Sequence, residues 1–150
     1  MQKNTLSHYL QPKHHDLYMN IARLAAIRSD ATILKVGAAL VLPNGFISIG
    51  WNGTPSNRDN DCEEWVQGAL RTKKEVIHAE INALKKCLKS GMSVEGGVLF
   101  VTHSPCDRCA VHLVDIGLSA IYYNDYHGEW EGLEMLKSCG VSVIRRDSNE

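Results

Sequence analysis

The chain has 150 residues, 44% of them hydrophobic, and its 16 lysines and arginines are balanced by 17 acidic residues for a formal charge of -1. This length supplies one substantial core and is short for two ordinary domains, so we expect a single domain over residues 1–150. The near-neutral charge disfavours a protein that binds along the phosphate backbone of a nucleic acid. We therefore expect a small-molecule substrate and no nucleic-acid partner.

Neither the start of the chain nor any later stretch is typical of a targeting or membrane segment. Residues 1–8 lack the apolar core of a secretory signal, and no stretch approaches the roughly 20 apolar residues of a membrane span. We therefore expect a cytoplasmic protein with no membrane partner. Cysteines in that compartment are reduced, and we interpret those of this chain as metal ligands or buried thiols. They are Cys62, Cys87, Cys106, Cys109 and Cys139.

The first half of the chain predicts a helix, a hairpin and a loop. Residues 14–29 show helical spacing, and Asn44-Gly45 between the apolar runs 36–41 and 46–50 predicts an antiparallel hairpin. Residues 54–61 should form an irregular surface loop, followed by a short helix over residues 63–71. The positions at helical spacing in the first helix are Leu17, Ile21, Leu24, Ala25 and Arg28.

The second half of the chain alternates helices with short apolar strands. Residues 75–89 repeat apolar positions with a helical period, at Ile77, Ile81, Leu84 and Leu88, and end in lysines before a glycine. The elements predicted after it are a strand at 98–101, a helix at 106–115, a strand at 120–123, a helix at 129–137 and a strand at 141–144. This pattern predicts an α/β fold, a three-layer α/β/α sandwich around a mixed sheet of about five strands whose first pair is antiparallel.

Two short motifs supply three zinc ligands and one further carboxylate. They are His78-Ala79-Glu80 and Pro105-Cys106-Asp107-Arg108-Cys109. The prediction places His78 in the first turns of one helix and the two cysteines at the start of another, so both helices converge on one metal. A catalytic zinc keeps three protein ligands and leaves the fourth position to water. This order of residues is the signature of zinc nucleobase deaminases.

Glu80 is the catalytic residue in this interpretation. Zinc lowers the pKa of its bound water, so that hydroxide can attack C4 of a cytosine at neutral pH. Glu80 takes the proton from that water, delivers it to ring N3 and then protonates the departing amine. The alternative is a structural zinc site, in which Glu80 is a solvated helix residue. That site needs a fourth ligand, and His103 and His112 are the adjacent candidates.

Segments across most of the chain resemble deoxycytidylate (dCMP) deaminases of the cytidine deaminase superfamily. The similar segments are Ala26-Ile27-Arg28-Ser29, Val36-Gly37-Ala38, Gly50-Trp51-Asn52-Gly53-Thr54-Pro55, His78-Ala79-Glu80-Ile81-Asn82-Ala83 and Val101-Thr102-His103-Ser104-Pro105-Cys106-Asp107-Arg108-Cys109. The Gly-aromatic-Asn-Gly-x-Pro element carries most of the substrate assignment, although the family more often has Tyr where this chain has Trp51. The resemblance implies hydrolysis of dCMP to dUMP and ammonia, which would feed thymidylate synthesis.

The resemblance also implies a set of nucleotide contacts. Arg28 and Ser29 would meet the phosphate, and the guanidinium fork of Arg28 suits that role. Asn52 would contact the sugar. Ala79 and Ser104 are further predicted substrate-binding positions. Tyr123 and Tyr126 are predicted to line the pocket because they follow the fourth predicted strand. A surface arginine, a turn asparagine and core or rim aromatic residues are the alternative interpretations of Arg28, Asn52 and the two tyrosines.

Assembly and regulation are further implications of the resemblance. We expect a homo-oligomer, as a hexamer, with dCTP as activator and dTTP as inhibitor, each with Mg²⁺, at a site around the loop after Pro55. This chain departs from the family there, because residues 56–62 lack a glycine-rich continuation. Some members hold a second, structural zinc near Cys62. We favour a buried or unpaired Cys62, because no convincing ligand set comes from His8, His14, His15 and Cys87.

Three functions remain open from the sequence. The first is deamination of dCMP. The second is deamination of a free nucleoside, a C5-modified dCMP or a tRNA adenosine, all of which use the same zinc apparatus. The third is a catalytically silent zinc domain, which the presence of Glu80 disfavours.

Overall fold

The computed structural model describes residues 6–146. Residues 1–5, part of the stretch interpreted as lacking a secretory signal, lie outside the described residues. The helices are α1 (His15–Ile27), α2 (Ala79–Lys89), α3 (Asp107–Leu113) and α4 (Glu131–Ser138). The strands are β1 (Gly37–Val41), β2 (Ile47–Trp51), β3 (Glu63–Val66), β4 (Ala69–Thr72), β5 (Val98–His103), β6 (Ala120–Asp125) and β7 (Ser142–Arg145).

The main sheet has five strands in the order β2-β1-β5-β6-β7. β1 is antiparallel to β2 and β5, whereas β5, β6 and β7 are parallel. The predicted hairpin is present, with Gly37 opposite Trp51 and Val41 opposite Ile47. α1 covers one face of the sheet, and α2, α3 and α4 cover the other. The predicted three-layer α/β/α sandwich with a mixed five-stranded sheet is therefore confirmed.

The face under α1 is filled mainly by rings and large side chains. Tyr18 and Met19 of α1 pack with Phe100 of β5, and Tyr122 of β6 packs against the same cluster. The Phe100 and Tyr122 rings stack with a centroid separation of 5.3 Å. Burial of such large apolar surfaces supplies much of the folding free energy on this side.

On the opposite face, small residues make the contact between α2 and β2. Ala79 and Ala83 are completely buried against the sheet, next to Gly50 of β2. A Cβ atom at Gly50 would lie 2.3 Å from the carbonyl oxygen of Ala79 and 2.5 Å from the amide nitrogen of Ala83. Only a glycine allows the α2 backbone to approach β2 this closely. The N-terminal turn of α2 is thereby held directly against the sheet.

The predicted faces of the first two long helices differ from the observed ones. Leu17 and Leu24 are 56% and 67% exposed, and Leu88 of α2 is 65% exposed. The buried positions of α1 are His15, Tyr18, Met19, Ala22, Ala25 and Ala26. Those of α2 are Ala79, Glu80, Ala83 and Cys87. The other predicted positions, Ile21, Ala25, Ile81 and Leu84, do contact the core. The close approach of both helices to the sheet selects small residues at the centre of each buried face, so the large apolar residues lie at its edges or outside it.

The short helix predicted over residues 63–71 is wrong. Strands β3 and β4 form an antiparallel hairpin there, with Glu63 opposite Thr72 and Val66 opposite Ala69. The turn residues Gln67 and Gly68 both have positive φ, at 50° and 80°. Two central residues with positive φ are typical of a type I′ hairpin turn, which matches the twist of the strands.

Two further predictions concern membranes and cysteines. Within residues 6–146, no helix combines the length and the apolar character that a membrane span requires. All five cysteines are free thiols. Cys62 is buried against Ala31 and Val76, as expected for an unpaired core thiol.

Candidate active site

The candidate metal ligands lie where two helices begin. His78 is the residue immediately before α2, outside the helix that was predicted to contain it, and its backbone is extended. Cys106 caps the N-terminus of α3, three residues after the end of β5, and Cys109 lies in the first turn. β5 is parallel to β6, and the carboxyl ends of parallel strands are the usual place for binding residues in such sheets.

A backbone bridge fixes His78 relative to the Asn52 loop. The Ile77 amide donates to the Gly53 carbonyl at 2.8 Å, and the Gly53 amide donates back to Ile77 at 3.1 Å. The side-chain amide of Asn82 donates to the Trp51 carbonyl at 2.8 Å. The segment before α2 and the loop after β2 are therefore tied at two points.

Three side chains form the metal-ligating cluster. The Nδ1 atom of His78 lies 3.1 Å from the Cys109 sulfur and 3.4 Å from the Cys106 sulfur. All three ligand atoms lie within 4.8 Å of one another. Ligands of one tetrahedral zinc, with N and S donors, lie about 3.5 Å apart. One imidazole and two thiolates at this spacing are a donor set that zinc prefers.

Electrostatics in the cluster favour a bound cation. The pKa of Cys106 is lowered to about 3, because the Cys109 thiol donates a hydrogen bond to its sulfur and His78 does so as well. The same shared proton raises the pKa of Cys109. The Cys109 backbone amide also donates to the Cys106 sulfur, at 3.4 Å. A metal cation would replace the shared proton, since both thiols ligate as thiolates.

Glu80 is the carboxylate beside this cluster. Its side chain is only 4% exposed, and its Oε2 atom has no hydrogen-bond partner among the described residues. Burial raises the pKa of Glu80 above its usual range. An unpaired buried carboxylate oxygen is costly, and each such group in a native structure needs an explanation. A water held on a metal by the three ligands would provide the missing partner, so these residues fit a catalytic zinc.

A fourth protein ligand is missing among residues 6–146, where the cluster consists of His78, Cys106 and Cys109 alone. His112 is exposed on α3. His103 interacts with the Thr102 hydroxyl at 2.9 Å and with the Asp125 carboxylate at 3.8 Å. The structural-zinc interpretation therefore lacks the ligand that it requires.

A cavity of about 160 Å³ opens onto the cluster. Asn52, Ala79 and Ser104, three of the predicted substrate-binding residues, line it together with Glu80 and His78. The Asn52 side chain accepts a hydrogen bond from the Val36 amide at 2.9 Å and donates one to the Leu34 carbonyl at 2.8 Å. Asn52 thus also holds residues 34–36 in place as one wall of the cavity.

The other four predicted contacts do not line this cavity. The Arg28 guanidinium lies over the Trp51 ring, 5.9 Å from its centroid. The buried Ser29 hydroxyl donates to the Asn52 carbonyl at 2.7 Å and accepts from the Ala31 amide at 3.2 Å. Tyr123 is half-buried against the core, and Tyr126 is exposed.

Sequence reasoning missed several residues of the site. His127, which was not predicted, and His103, which was considered only as a fourth zinc ligand, both line the cavity, and their rings lie 6.3 Å apart. The His127 amide donates to the Ser104 hydroxyl at 2.7 Å. The position of His127 just after a predicted strand could have indicated that it belongs to the site, because residues that follow parallel strands meet at one edge of a sheet. Asn82 belongs to the quoted motif, but its link to Trp51 required the structure.

The fold and the site define a zinc-dependent deaminase, and comparison with known families agrees. Residues 12–125 match the family model described as the cytidine and deoxycytidylate deaminase zinc-binding region. The chain belongs to this cytidine and deoxycytidylate deaminase family, and the resemblance predicted from the sequence is confirmed.

Similar proteins and structures include deaminases that act on dCMP. The crystal structure of the cyanophage S-TIM5 dCMP deaminase in complex with dCMP and dUMP is 39% identical, covers 91% of this chain and 99% of that chain, and has a TM-score of 0.83. The ComE operon protein 2 of Bacillus subtilis is 32% identical over 138 residues, covering 89% of this chain and 71% of the relative. The deoxycytidylate deaminase of Saccharomyces cerevisiae is 30% identical, but this chain spans only 45% of its length.

Proposed function

We propose that this protein deaminates dCMP to dUMP and ammonia. The observation that carries the proposal is the buried, unpartnered Glu80 carboxylate in the same cavity as the three metal ligands. The specific substrate is supported by the likeness to a phage dCMP deaminase crystallised with dCMP and dUMP. The product would supply thymidylate synthesis.

The metal and Glu80 have separate roles in the proposed reaction. A zinc ion bound by His78, Cys106 and Cys109 would supply a water acidic enough to lose its proton near neutral pH. Glu80 accepts that proton at its free Oε2 atom and passes it to ring N3 of the cytosine. It then moves a proton to the amino group that leaves C4. Burial keeps the carboxyl away from bulk water, so the proton stays within the site.

We propose that the remaining residues position the nucleotide. Asn52 contacts the sugar, and Ala79 and Ser104 contact the base from the cavity wall. Among residues 6–146, no lysine or arginine lines the cavity. Arg28 therefore meets the phosphate outside the cavity, next to Ser29, whose hydroxyl supports the Asn52 backbone. This role requires the Arg28 side chain to leave the Trp51 ring.

The test of the substrate compares ammonia release from dCMP, dCTP, deoxycytidine and CMP by the zinc-loaded protein. We expect selective conversion of dCMP, because both the phosphate and the deoxyribose are recognised. Preference for deoxycytidine would reject the specificity while leaving the chemistry intact. No turnover of any of them would favour a tRNA adenosine substrate or a silent zinc domain.

The test of the phosphate contact is Arg28→Ala. We expect a higher KM for dCMP and an unchanged KM for deoxycytidine, because only the former carries a phosphate. Arg23→Ala on the same helix is the matched control, since Arg23 bonds to Asn20 and does not line the cavity. An equal effect of Arg28→Ala on both substrates would contradict the role.

Assembly and regulation belong to the same proposal. Exposed apolar side chains on α1, among them Leu17, Leu24 and Ile27, support a homo-oligomer, which we propose to be a hexamer. Light scattering gives the subunit number directly. Adding dCTP or dTTP with Mg²⁺ at low dCMP tests the two effectors, with stimulation expected from dCTP and inhibition from dTTP.

A further inference from the structure

The ring of Trp51, at the end of β2, is contacted by two cationic side chains. The Nζ atom of Lys86 lies 4.5 Å from the ring centroid, and the Cζ atom of Arg28 lies 5.9 Å from it. Both distances are within the range at which an aromatic face attracts a cation. Lys86 belongs to α2 and Arg28 directly follows α1, so the two cations reach one ring from opposite faces of the sheet.

The two cations are held to different degrees. Lys86 also donates a hydrogen bond to the Ile49 carbonyl at 2.6 Å. Arg28 is exposed, and its guanidinium has no hydrogen-bond or ion-pair partner among residues 6–146. The contact with Trp51 is therefore what holds the Arg28 side chain. An exposed contact of this kind is weak and changes an equilibrium by a factor of about two to five.

The backbone around this contact is fixed, so the Arg28 side chain is the part that moves. The hydroxyl of Ser29, the next residue, donates to the Asn52 carbonyl at 2.7 Å. The Trp51 carbonyl accepts a hydrogen bond from the Asn82 side chain at 2.8 Å. The end of α1 and the end of β2 are thus tied to their surroundings, and only rotation within the Arg28 side chain separates the guanidinium from the ring.

The position of the guanidinium over the ring lies outside the substrate cavity. Asn52 lines that cavity, whereas Trp51 and Arg28, both within the described part of the chain, do not. The proposed phosphate contact therefore requires the guanidinium to leave the ring. A phosphate offers charge-assisted, bidentate hydrogen bonds, which are stronger than an exposed cation–π contact. Ring and phosphate thus compete for one cation, and the phosphate is the stronger partner.

We infer that Trp51 is a positioning residue that holds Arg28 away from the cavity until a substrate phosphate draws the guanidinium off the ring. The inference rests on the proposed contact between Arg28 and that phosphate. The ring lowers the affinity for a nucleoside monophosphate, because the contact with the ring is lost on binding, and it leaves the affinity for a nucleoside unchanged. Tryptophan attracts cations more strongly than the tyrosine that is more usual at this position.

Equilibrium binding of dUMP and deoxyuridine to the zinc-loaded full chain, measured by calorimetry, tests the inference. Trp51→Leu should bind dUMP about two- to fivefold more tightly than the parent, because Arg28 then has no ring to leave. Trp51→Phe should lie between the two, since a phenyl ring attracts a cation less strongly than an indole does. Both variants should bind deoxyuridine, which has no phosphate, like the parent.

The matched control is Trp65→Leu, on β3. Its ring is 74% exposed and does not line the cavity, so this variant should bind both ligands like the parent. Zinc content and thermal unfolding are measured for every variant. Weaker binding of dUMP by Trp51→Leu would overturn the inference, because the ring would then hold Arg28 in its binding position.

A double-mutant cycle separates the role of Trp51 from a general change of shape. In the Arg28→Ala background, Trp51→Leu should have no effect on dUMP affinity, because the cation that the ring holds is absent. Equal tightening with and without Arg28 would overturn the inference.

Tryptophan fluorescence reports the movement itself. The chain has three tryptophans, so Trp65→Phe/Trp130→Phe leaves Trp51 as the only one. Saturating dUMP should change the emission of Trp51, whereas deoxyuridine should not, and Arg28→Ala should abolish the response to dUMP. Unchanged emission at saturating dUMP would mean that Arg28 stays on the ring, which would contradict the inference.

Failure of the proposed phosphate contact gives a different pattern from failure of this inference. If Arg28→Ala leaves the dUMP affinity unchanged, the phosphate contact is wrong and the role of Trp51 is rejected with it. If Arg28→Ala weakens dUMP binding but Trp51→Leu does not strengthen it, the phosphate contact is retained and only the role of Trp51 is rejected.

Discussion

The two faces of the main sheet are filled in different ways. Under α1, the rings of His15, Tyr18, Phe100 and Tyr122 pack at centroid separations of 4.6 to 5.3 Å. Under α2, alanine side chains and the glycine of β2 bring one backbone directly against another. The first face combines buried ring volume with a close approach of α1 at Gly37, whereas the contact of α2 with β2 depends on close approach at Gly50.

This difference assigns the two faces different tasks. Each buried ring pair adds about 0.5–1.5 kcal/mol beyond its area, so the α1 face contributes stability. The α2 face buries little volume at its N-terminal end, but it sets the position of Glu80 relative to His78 and the two cysteines. Changes to the α2 face should therefore act on activity, and changes to the α1 face on stability alone.

The largest expected effect is that of Glu80→Gln on the α2 face. The amide keeps the shape of the carboxylate but takes up no proton, so kcat should fall by about 10²–10⁴-fold. Zinc content, measured by elemental analysis, should stay at that of the parent. Glu131→Gln, on the exposed start of α4, is the control and should be fully active. Substantial turnover by Glu80→Gln would show that another group moves the proton.

A pair of glycine substitutions tests the comparison directly. Gly50→Ala forces α2 away from β2 and should lower kcat on the order of 10²-fold, because a displacement of about 1 Å is enough for this. Gly37→Ala on β1 would instead place a Cβ atom 1.9 Å from the Ala22 carbonyl oxygen of α1. Both should lose stability, and folded Gly37→Ala should keep its kcat. Equal losses of kcat in the two variants would contradict the assignment of activity to the α2 face and of stability to the α1 face.

A smaller effect is expected for Phe100→Leu on the α1 face. The substitution removes part of a fully buried ring and should lower the free energy of unfolding by about 1–2 kcal/mol, less than truncation to alanine would cost. The kcat should not change. Urea unfolding and steady-state kinetics of the same preparation give both quantities. A loss of kcat with unchanged stability would reverse the assignment of this face.

The smallest effect is a pH dependence of stability from His15. Burial, together with the charge of Arg146, lowers the pKa of His15 in the folded state. The unfolded chain binds a proton below about pH 6.5 that the folded chain does not, so stability falls as pH falls through that value. Thermal unfolding from pH 8 to 5 measures this, and His15→Phe should flatten the slope. An unchanged slope would show that the pH dependence does not come from His15.

Much of the fold followed from the sequence, because the strands are short apolar runs bounded by turn residues. The Asn44-Gly45 turn and the alternation after residue 98 were sufficient to predict the mixed sheet. The hairpin at residues 63–72 was missed because its apolar residues are not buried. Trp65 is 74% exposed, so the spacing of the apolar residues in this hairpin does not indicate which face is buried. Gln67-Gly68 was the usable signal for a turn.

The site was predictable where a motif fixes the chemistry and less so where side chains from distant segments meet. His78, Cys106, Cys109 and Glu80 come together as the motif implies. The resemblance did not predict that the Ser29 hydroxyl forms its hydrogen bonds with backbone groups, or that the Arg28 guanidinium lies over the Trp51 ring. Both depend on where α1 ends relative to β2, a long-range distance that no local pattern encodes.

The backbone bridge between Gly53 and Ile77 separates two parts of the neighbouring loop that should tolerate substitutions to different degrees. On the near side, Asn52 cannot move without displacing His78. On the far side, residues 56–61 are held by exposed ion pairs, Arg58 with Glu75 and Lys73 with Asp59, which other side chains can replace. The departure predicted from the sequence, the absence of a glycine-rich continuation over residues 56–62, lies in that second part. Substitutions there should leave the spacing of the three ligands unchanged.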